Sequence, residues 1–244
     1  MKILAIGNSF SQDATRYLHD IARADNQELT VVNLYIGGCP LDRHFKNAMA
    51  DKEAYNLIFN GVTTDFYVSI KEALLTRTWD YVTFQQGSIV SPNYDTYQPY
   101  LTELSKYVKK YAPEAKQVIH QTWSYAQGSP LLNEKAGYAD QKDMFNDIKK
   151  AYEKASKDIG AEFIIPSGEL LQELLKNGVE SVHRDNLHAT FGLGRYAMGL
   201  LWYTMLTGKD VEDNTFRSFD EPVSEEEVAL AKKCVMSVAK KYRK

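Results

Sequence analysis

Residues 2–11 read KILAIGNSFS, a short apolar run that passes directly into glycine, asparagine and serine. The continuous apolar character of Ile3 to Ile6 is typical of a strand covered by helices on both faces of a parallel sheet. In such a sheet, ligands bind outside the carboxyl ends of the strands. The turn at Gly7-Asn8-Ser9 is therefore the first place where we expect functional residues.

Further apolar runs recur along the chain and are separated by segments with helical spacing. The predicted strands are residues 2–7, 30–36, 79–85, 116–122 and 162–166. The predicted helices are residues 12–25, 95–112, 139–159, 168–177, 191–207 and 224–242. This alternation predicts an α/β fold, a three-layer α/β/α sandwich around a five-stranded parallel sheet. Asn60-Gly61, between two partly alternating runs at 55–59 and 66–70, predicts a small added hairpin.

Length, composition and charge limit the classes of protein. A chain of 244 residues without internal repeats or a long linker is expected to form a single domain, residues 1–244. With 44% hydrophobic and 25% charged residues, it is expected to be globular rather than disordered or membrane-spanning. A net charge of -3 without a basic stripe argues against nucleic acid as a partner. The first apolar run is too short for a signal peptide, so we expect a cytoplasmic protein or one whose leader has been removed.

The cysteine, histidine and glycine patterns do not support a metal or cofactor site. Cys39 and Cys234 are the only cysteines, too few for a four-thiolate zinc site. A metal hydrolase would have to gather ligands from distant loops; the histidines available for this are His44, His120, His183 and His188. The glycines at 192–197 match a dinucleotide fingerprint as text but lie inside a predicted helix. We therefore expect neither a cofactor nor a metal.

Ser9 is a candidate nucleophile because of its place at a strand-to-helix turn. A hydroxyl there lies at the N-terminus of the following helix, where backbone N–H groups and the helix dipole favour negative charge. This suits both an attacking oxygen and the oxyanion that forms beside it. The alternative is that Ser9 or Ser11 only caps the helix that begins near Gln12.

A serine hydroxyl needs a base, and the segment from Arg184 to His188 offers one. His188 would take the proton of Ser9, and Asp185 would hold the imidazole in the required tautomer. Residues three apart can meet on one side of a turn, so a single loop would supply both groups. The alternative is that Asp185 caps the helix that follows and His188 is a surface residue.

The ends of the second and third strands supply candidate donors to an oxyanion. At Gly37-Gly38 the missing side chains would let a backbone N–H approach the substrate, and Gln85 would add a side-chain amide. The alternatives are a tight turn at the glycines and a buried structural glutamine. Residues near the carboxyl ends of the predicted strands are expected to line the substrate cleft and to give it an aromatic face suited to a sugar ring. They are Asn8, Gln86, His44, His120, Trp123 and Tyr125.

Four of these segments resemble the motif blocks of the SGNH, or GDSL-like, hydrolase superfamily, in order and over nearly the whole chain. They are Gly7-Asn8-Ser9, Gly37-Gly38, Phe84 to Ser88, and Asp185 to His188. The closing Asp-x-x-His is the most specific of them. The resemblance implies a flavodoxin-like fold and a serine esterase that acts on a small ester through an acyl-enzyme.

The same resemblance assigns roles to individual residues. It implies that Ser9 is the nucleophile, His188 the general base and Asp185 its partner. In that family the oxyanion hole consists of the nucleophile's own N–H, a glycine N–H and an asparagine side chain. The first two correspond to Ser9 and Gly38, and Gln85 is the expected counterpart of the third.

Two positions depart from the family's pattern. Asn8 stands where the GDS triplet has its aspartate, which is outside the catalytic trio. Gln85 or Gln86 stands where an asparagine is expected, so the third oxyanion donor stays open between them. The pattern resembles an uncharacterised bacterial subgroup, and its substrate does not carry over. Because many relatives deacylate sugars, we expect a small polar ester, with an O-acetylated carbohydrate as the favoured substrate.

Other functional classes fit these residues less well. An α/β-hydrolase would need a Gly-x-Ser-x-Gly elbow after a middle strand and a histidine far from its aspartate. Cys39 has no base paired with it by sequence, which argues against a cysteine nucleophile. The remaining alternative is a catalytically inactive domain of the same fold that binds carbohydrate or serves as an adaptor.

Overall fold

The computed structural model describes residues 1–243, which contain seven strands and nine α-helices. The strands are β1 (Lys2–Gly7), β2 (Thr30–Tyr35), β3 (Tyr55–Phe59), β4 (Val62–Val68), β5 (Tyr81–Phe84), β6 (Lys116–Gln121) and β7 (Ile164–Pro166). The helices are α1 (Ser9–Thr15), α2 (Leu18–Ala24), α3 (Leu41–Met49), α4 (Ile70–Leu75), α5 (Tyr100–Tyr111), α6 (Gln141–Ile159), α7 (Ser167–Lys176), α8 (Leu193–Thr207) and α9 (Glu225–Tyr242). Strands and helices alternate over most of these residues, as the apolar periodicity predicts.

The strands form one mixed sheet in the order β4-β3-β2-β1-β5-β6-β7. Five neighbouring strands, β2, β1, β5, β6 and β7, are parallel to one another. Strand β3 pairs antiparallel with β2, and β4 pairs antiparallel with β3. The predicted α/β class and the parallel sheet are confirmed. The predicted strand number is corrected from five to seven, because the hairpin at Asn60-Gly61 extends the main sheet through backbone pairing with β2.

The helices cover both faces of the sheet and form two hydrophobic cores. Side chains of a strand alternate between faces, so Ile3 and Ala5 pack against α1, α2, α7, α8 and α9. Leu4 and Ile6 point the other way and pack against α3, α4, α5 and α6. None of the helices within residues 1–243 combines the length and the apolar character needed to cross a bilayer.

Some element boundaries differ from the predicted ones for local reasons. The helix predicted at 12–25 is two helices, and α1 begins at Ser9, directly after the turn. The short helices α3 and α4 were not predicted. The six-residue helix α4 begins at a capping box formed by Ser69 and Glu72. Its first residue, Ile70, is the last residue of the run at 66–70 that predicts a strand.

Candidate active site

Ser9 is the first residue of α1 and lies at the carboxyl edge of the sheet, one residue beyond Asn8. Asn8, not a serine, caps this helix: its Oδ1 accepts a hydrogen bond from the Phe10 N–H at 3.0 Å. Ser11 completes the cap by accepting from the Asn8 N–H at 3.1 Å. Ser9 is therefore left out of the capping interactions, and its partly buried hydroxyl is free to meet the loop that carries His188.

Ser9, His188 and Asp185 form one hydrogen-bonded row, although Ser9 and His188 are 179 residues apart. The ring nitrogen Nδ1 of His188 lies 2.7 Å from Oδ2 of Asp185. Since a carboxylate only accepts, Nδ1 carries the proton, and Nε2 accepts from the Ser9 hydroxyl at 2.9 Å. The arrangement can move the hydroxyl proton of Ser9 onto His188.

Asp185 is held as an acceptor by the loop it belongs to. Its Oδ1 accepts from the backbone N–H groups of Leu187 at 3.2 Å and of His188 at 2.7 Å. Partial burial raises the pKa of the Asp185 carboxyl, but the hydrogen bonds from the backbone and ring of His188 outweigh it and bring the pKa below its usual value. Asp185 does not cap a helix, because α8 begins only at Leu193.

Residues 183–189 form a tight turn closed by an antiparallel bridge between His183 and Ala189. The indole N–H of Trp123 donates to the Leu187 carbonyl at 2.9 Å. The Trp123 ring in turn stacks on Phe10 of α1, with centroids 3.8 Å apart. Trp123 thus connects the loop that carries His188 to the helix that carries Ser9.

Asp13 makes a second connection between this loop and α1. Its fully buried carboxylate accepts from Arg184 Nη1 at 2.9 Å, from Arg195 Nε at 2.8 Å and from the Ala189 N–H at 3.2 Å. No motif in the sequence marks Asp13. The available signal was its position four residues after Ser9, which places both on one face of α1.

The two backbone N–H groups of the predicted oxyanion hole donate no hydrogen bond to any of residues 1–243. They are those of Ser9 and Gly38. Gly38 has φ +60°, a conformation that favours glycine, and it is exposed. The Asn8 side chain donates to the Cys39 carbonyl at 3.2 Å, which ties the loop of Gly38 to the turn of Ser9. These two N–H groups are available to an oxyanion.

A family model and solved structures relate the chain to known proteins. The model described as "Domain of unknown function (DUF4886)" matches residues 2–238. The chain belongs to the DUF4886 family. A DUF4886 family protein from Bacteroides uniformis, known from a crystal structure, is 33% identical and has a TM-score of 0.91, over 98% of this chain and 94% of that one. No curated protein matches this DUF4886 chain in sequence.

More distant solved structures show the fold of the DUF4886 chain. A GDSL-like protein from Parabacteroides merdae has a TM-score of 0.53 at 15% identity, over 85% of this chain and 95% of that one. An acetyl-xylooligosaccharide esterase from Geobacillus has a TM-score of 0.50 at 14% identity, over 91% and 97%. The SGNH, or GDSL-like, hydrolase fold that the motif blocks predicted is therefore confirmed.

The side chains of Gln85 and Gln86 do not point into the open site of the DUF4886 protein. Both are buried, and Gln85 Nε2 donates to Asn8 Oδ1 at 2.6 Å. Gln86 Nε2 donates to the carbonyl and the hydroxyl of Thr96, each at 3.1 Å. The alternative interpretation of Gln85 as a buried structural glutamine fits this geometry better than that of a direct oxyanion donor.

The six residues predicted to line the cleft are all nearly inaccessible, so that prediction is wrong. None is more than 3% exposed: Asn8, Gln86, His44, His120, Trp123 and Tyr125. Proximity to a strand end places a side chain at the correct edge of the sheet but does not decide whether helices and loops cover it. Two of them bond to segments that carry the site: Asn8 to the turn of Ser9 and Trp123 to the loop of His188.

Cys39 and His44 form a buried pair behind the glycine loop. The Cys39 sulfur lies 3.6 Å from His44 Nδ1, a contact that the sequence did not reveal. Burial raises the pKa of the Cys39 thiol to about 12 and lowers that of His44 to about 3, so neither is charged near neutral pH. A neutral buried thiol is a poor nucleophile.

Among residues 1–243, no group of three or more acidic, cysteine or histidine side chains could hold a metal ion.

Proposed function

We propose that this DUF4886 protein is a serine esterase that hydrolyses a small ester through Ser9, His188 and Asp185. One observation carries the proposal: Ser9 Oγ, the His188 ring and the Asp185 carboxylate are joined by contacts of 2.9 and 2.7 Å. This is the geometry of a nucleophile, a base and the group that orients the base. A binding domain without catalysis would have no use for that alignment.

The proposed reaction begins with attack of Ser9 Oγ on the ester carbonyl carbon while His188 Nε2 takes the hydroxyl proton. The carbonyl oxygen becomes an oxyanion that accepts from the N–H groups of Ser9 and Gly38. The intermediate expels the alcohol, which receives the proton from His188, and leaves an acyl group on Ser9. Water, deprotonated by His188, then attacks the acyl carbon. The bond to Ser9 Oγ breaks, Ser9 Oγ takes the proton back from His188, and the carboxylic acid is released. Asp185 stabilises the imidazolium in both halves of the reaction.

A short acyl group fits the surroundings of Ser9 best. Five of the cavities on the described residues have volumes of about 350 to 730 Å³, and Ser9, Gly38 and His188 line none of these five. We therefore propose an acetyl ester, with an acetylated carbohydrate as the favoured natural substrate. The acetyl-xylooligosaccharide esterase of similar fold supports the choice of substrate class. The aromatic side chains of Trp123 and Tyr125 are buried and therefore do not contribute to this choice.

Labelling with a fluorophosphonate probe tests the proposed nucleophile. We expect the purified protein to be phosphonylated at Ser9, located by peptide mass spectrometry, and Ser9→Ala to remain unlabelled. Ser88→Ala is the matched control, since Ser88 is a partly buried serine four residues after β5, and it should label like the wild type. A folded wild-type protein that does not react would favour the inactive binding domain.

A series of p-nitrophenyl esters tests the short acyl group. We expect kcat/KM to show no increase from acetyl to octanoyl, because none of these five cavities adjoins Ser9 to receive the longer chain. An apolar channel would stabilise the transition state by about 0.8 kcal/mol per buried methylene, which raises kcat/KM about four-fold for each methylene added to the acyl chain. Such an increase would contradict the acetyl assignment. The preference for a carbohydrate is tested by comparing the rate of acetate release from acetylated xylo-oligosaccharides with that from acetylated alcohols that contain no sugar.

A further inference from the structure

Four buried side chains form a continuous row of hydrogen bonds along the carboxyl edge of the sheet. Ser167 Oγ, at the start of α7, lies 3.0 Å from His120 Nε2, and His120 Nδ1 lies 3.0 Å from Gln85 Oε1. Gln85 Nε2 donates to Asn8 Oδ1 at 2.6 Å, and Asn8 Nδ2 donates to the Cys39 carbonyl at 3.2 Å. We name Ser167, His120, Gln85 and Asn8 the edge chain. It crosses from β7 to the loop after β2.

Every bond of the edge chain runs in the same donor-to-acceptor direction. Burial lowers the pKa of His120 to about 3, so its imidazole is neutral. Because Gln85 Oε1 can only accept, His120 carries its proton on Nδ1, and its Nε2 accepts from the Ser167 hydroxyl. Bonds aligned in this way strengthen one another inside a protein. All four side chains are at most 2% exposed, so water does not compete for them.

The last bonds of the edge chain reach the two places where the backbone N–H groups are unpartnered. Asn8 directly precedes Ser9, and Cys39 directly follows Gly38. Asn8 Oδ1 also accepts from the Phe10 N–H at 3.0 Å, so one side chain spans the turn of Ser9 and the loop of Gly38. A shift of Asn8 would change the angle between the two N–H groups.

We propose that Gln85 and His120 are positioning residues for an oxyanion hole that consists of the Ser9 and Gly38 backbone N–H groups. The inference rests on the esterase activity proposed above. The buried amides of Gln85 and Gln86 are already engaged with protein atoms and are turned away from the open site. The edge chain replaces a third donor by holding the two backbone donors at a fixed separation and angle.

The variant Gln85→Met tests this role, because it keeps the length of the side chain and removes its amide. We expect kcat, per active site titrated with the fluorophosphonate, to fall by about 10- to 100-fold with KM within two-fold. Affinity for a boronic acid, whose tetrahedral oxygen occupies the oxyanion hole, should fall in parallel. Gln117→Met is the matched control, since Gln117 is a buried glutamine on β6 bonded to Ser105, far from this edge. It should leave kcat per titrated site unchanged.

A merely structural role would lower stability and the fraction of titratable protein without changing kcat per site, and that result would overturn the inference. An effect confined to KM, or a boronic acid affinity like that of the wild type, would overturn it as well. Should Gln85→Met fail to fold, Ser167→Ala removes only the terminal donor and must lower kcat in the same direction. A wild type that is neither labelled nor active would refute the esterase proposal itself, before any variant is compared.

Discussion

Replacement of Ser9 by Ala is expected to lower kcat for p-nitrophenyl acetate by about four to six orders of magnitude. The substitution removes the only atom that can form the acyl-enzyme, while the oxyanion donors stay in place. The remaining activity would come from binding and the two N–H groups acting on water. His188→Ala should cost a similar amount, because a hydroxyl without its base is a weak nucleophile.

The double variant of Ser9 and His188 is the sharper measurement. Because the two residues act as one unit, the double variant should be no slower than the slower single variant. Single-turnover kinetics with enzyme in excess keep the residual rate measurable. Multiplicative losses would show that His188 acts in some step that does not involve Ser9. A Ser9→Ala variant with more than a tenth of wild-type kcat would refute the mechanism.

Replacement of Asp13 by Asn is expected to destabilise the protein by about 3–5 kcal/mol and to lower its melting temperature by roughly 10 °C. The carboxylate is inaccessible and lies between the guanidinium groups of Arg184 and Arg195, whose side chains are 20% and 11% exposed. Without it, Arg184 loses its carboxylate partner and faces the positive charge of Arg195, which keeps only its ion pair with Asp220 at 2.8 Å. The loop of His188 would shift relative to α1, and kcat should fall about 10- to 100-fold.

Asp20→Asn is the control for Asp13. Asp20 forms an exposed ion pair with Arg23 at 3.8 Å, and pairs of this kind contribute about 0.2–1 kcal/mol at most. Thermal unfolding and kcat at 25 °C should therefore be nearly unchanged in Asp20→Asn. If Asp13→Asn lost stability but kept full kcat per titrated site, Asp13 would support the fold without positioning His188.

Residues that act within one turn or one strand were predictable. The apolar run before Gly7 predicted β1, and the spacing of Asp185 and His188 predicted that both would meet within one loop. These are local relations, set by the two-residue period of a strand and the geometry of a single turn. For the same reason the hairpin at Asn60-Gly61 was recognised from its turn residues.

Residues whose role depends on contacts between distant segments were missed or misplaced. Asp13 is an ordinary helical aspartate until Arg184 and Arg195 pack against it. Trp123 follows β6 and His120 lies near the carboxyl end of that strand, as substrate-binding residues do, but Phe10 of α1 packs on Trp123 and Trp202 of α8 packs on His120. Burial is a property of the assembled layers and not of a segment.

The amino-acid sequence by itself determined the class of fold and the order of the motif blocks. It also determined the choice of Ser9, Asp185 and His188 as candidates. Periodicity and motif spacing depend only on residues that are close together in the sequence. Only the tertiary structure decided that Ser9 and His188 meet at 2.9 Å, that Gln85 faces inward to Asn8, and that Asp13 connects the two parts of the site. These contacts join residues that are 77 to 179 positions apart in the chain. They form only when parallel strands align their carboxyl ends and the helices close over both faces of the sheet.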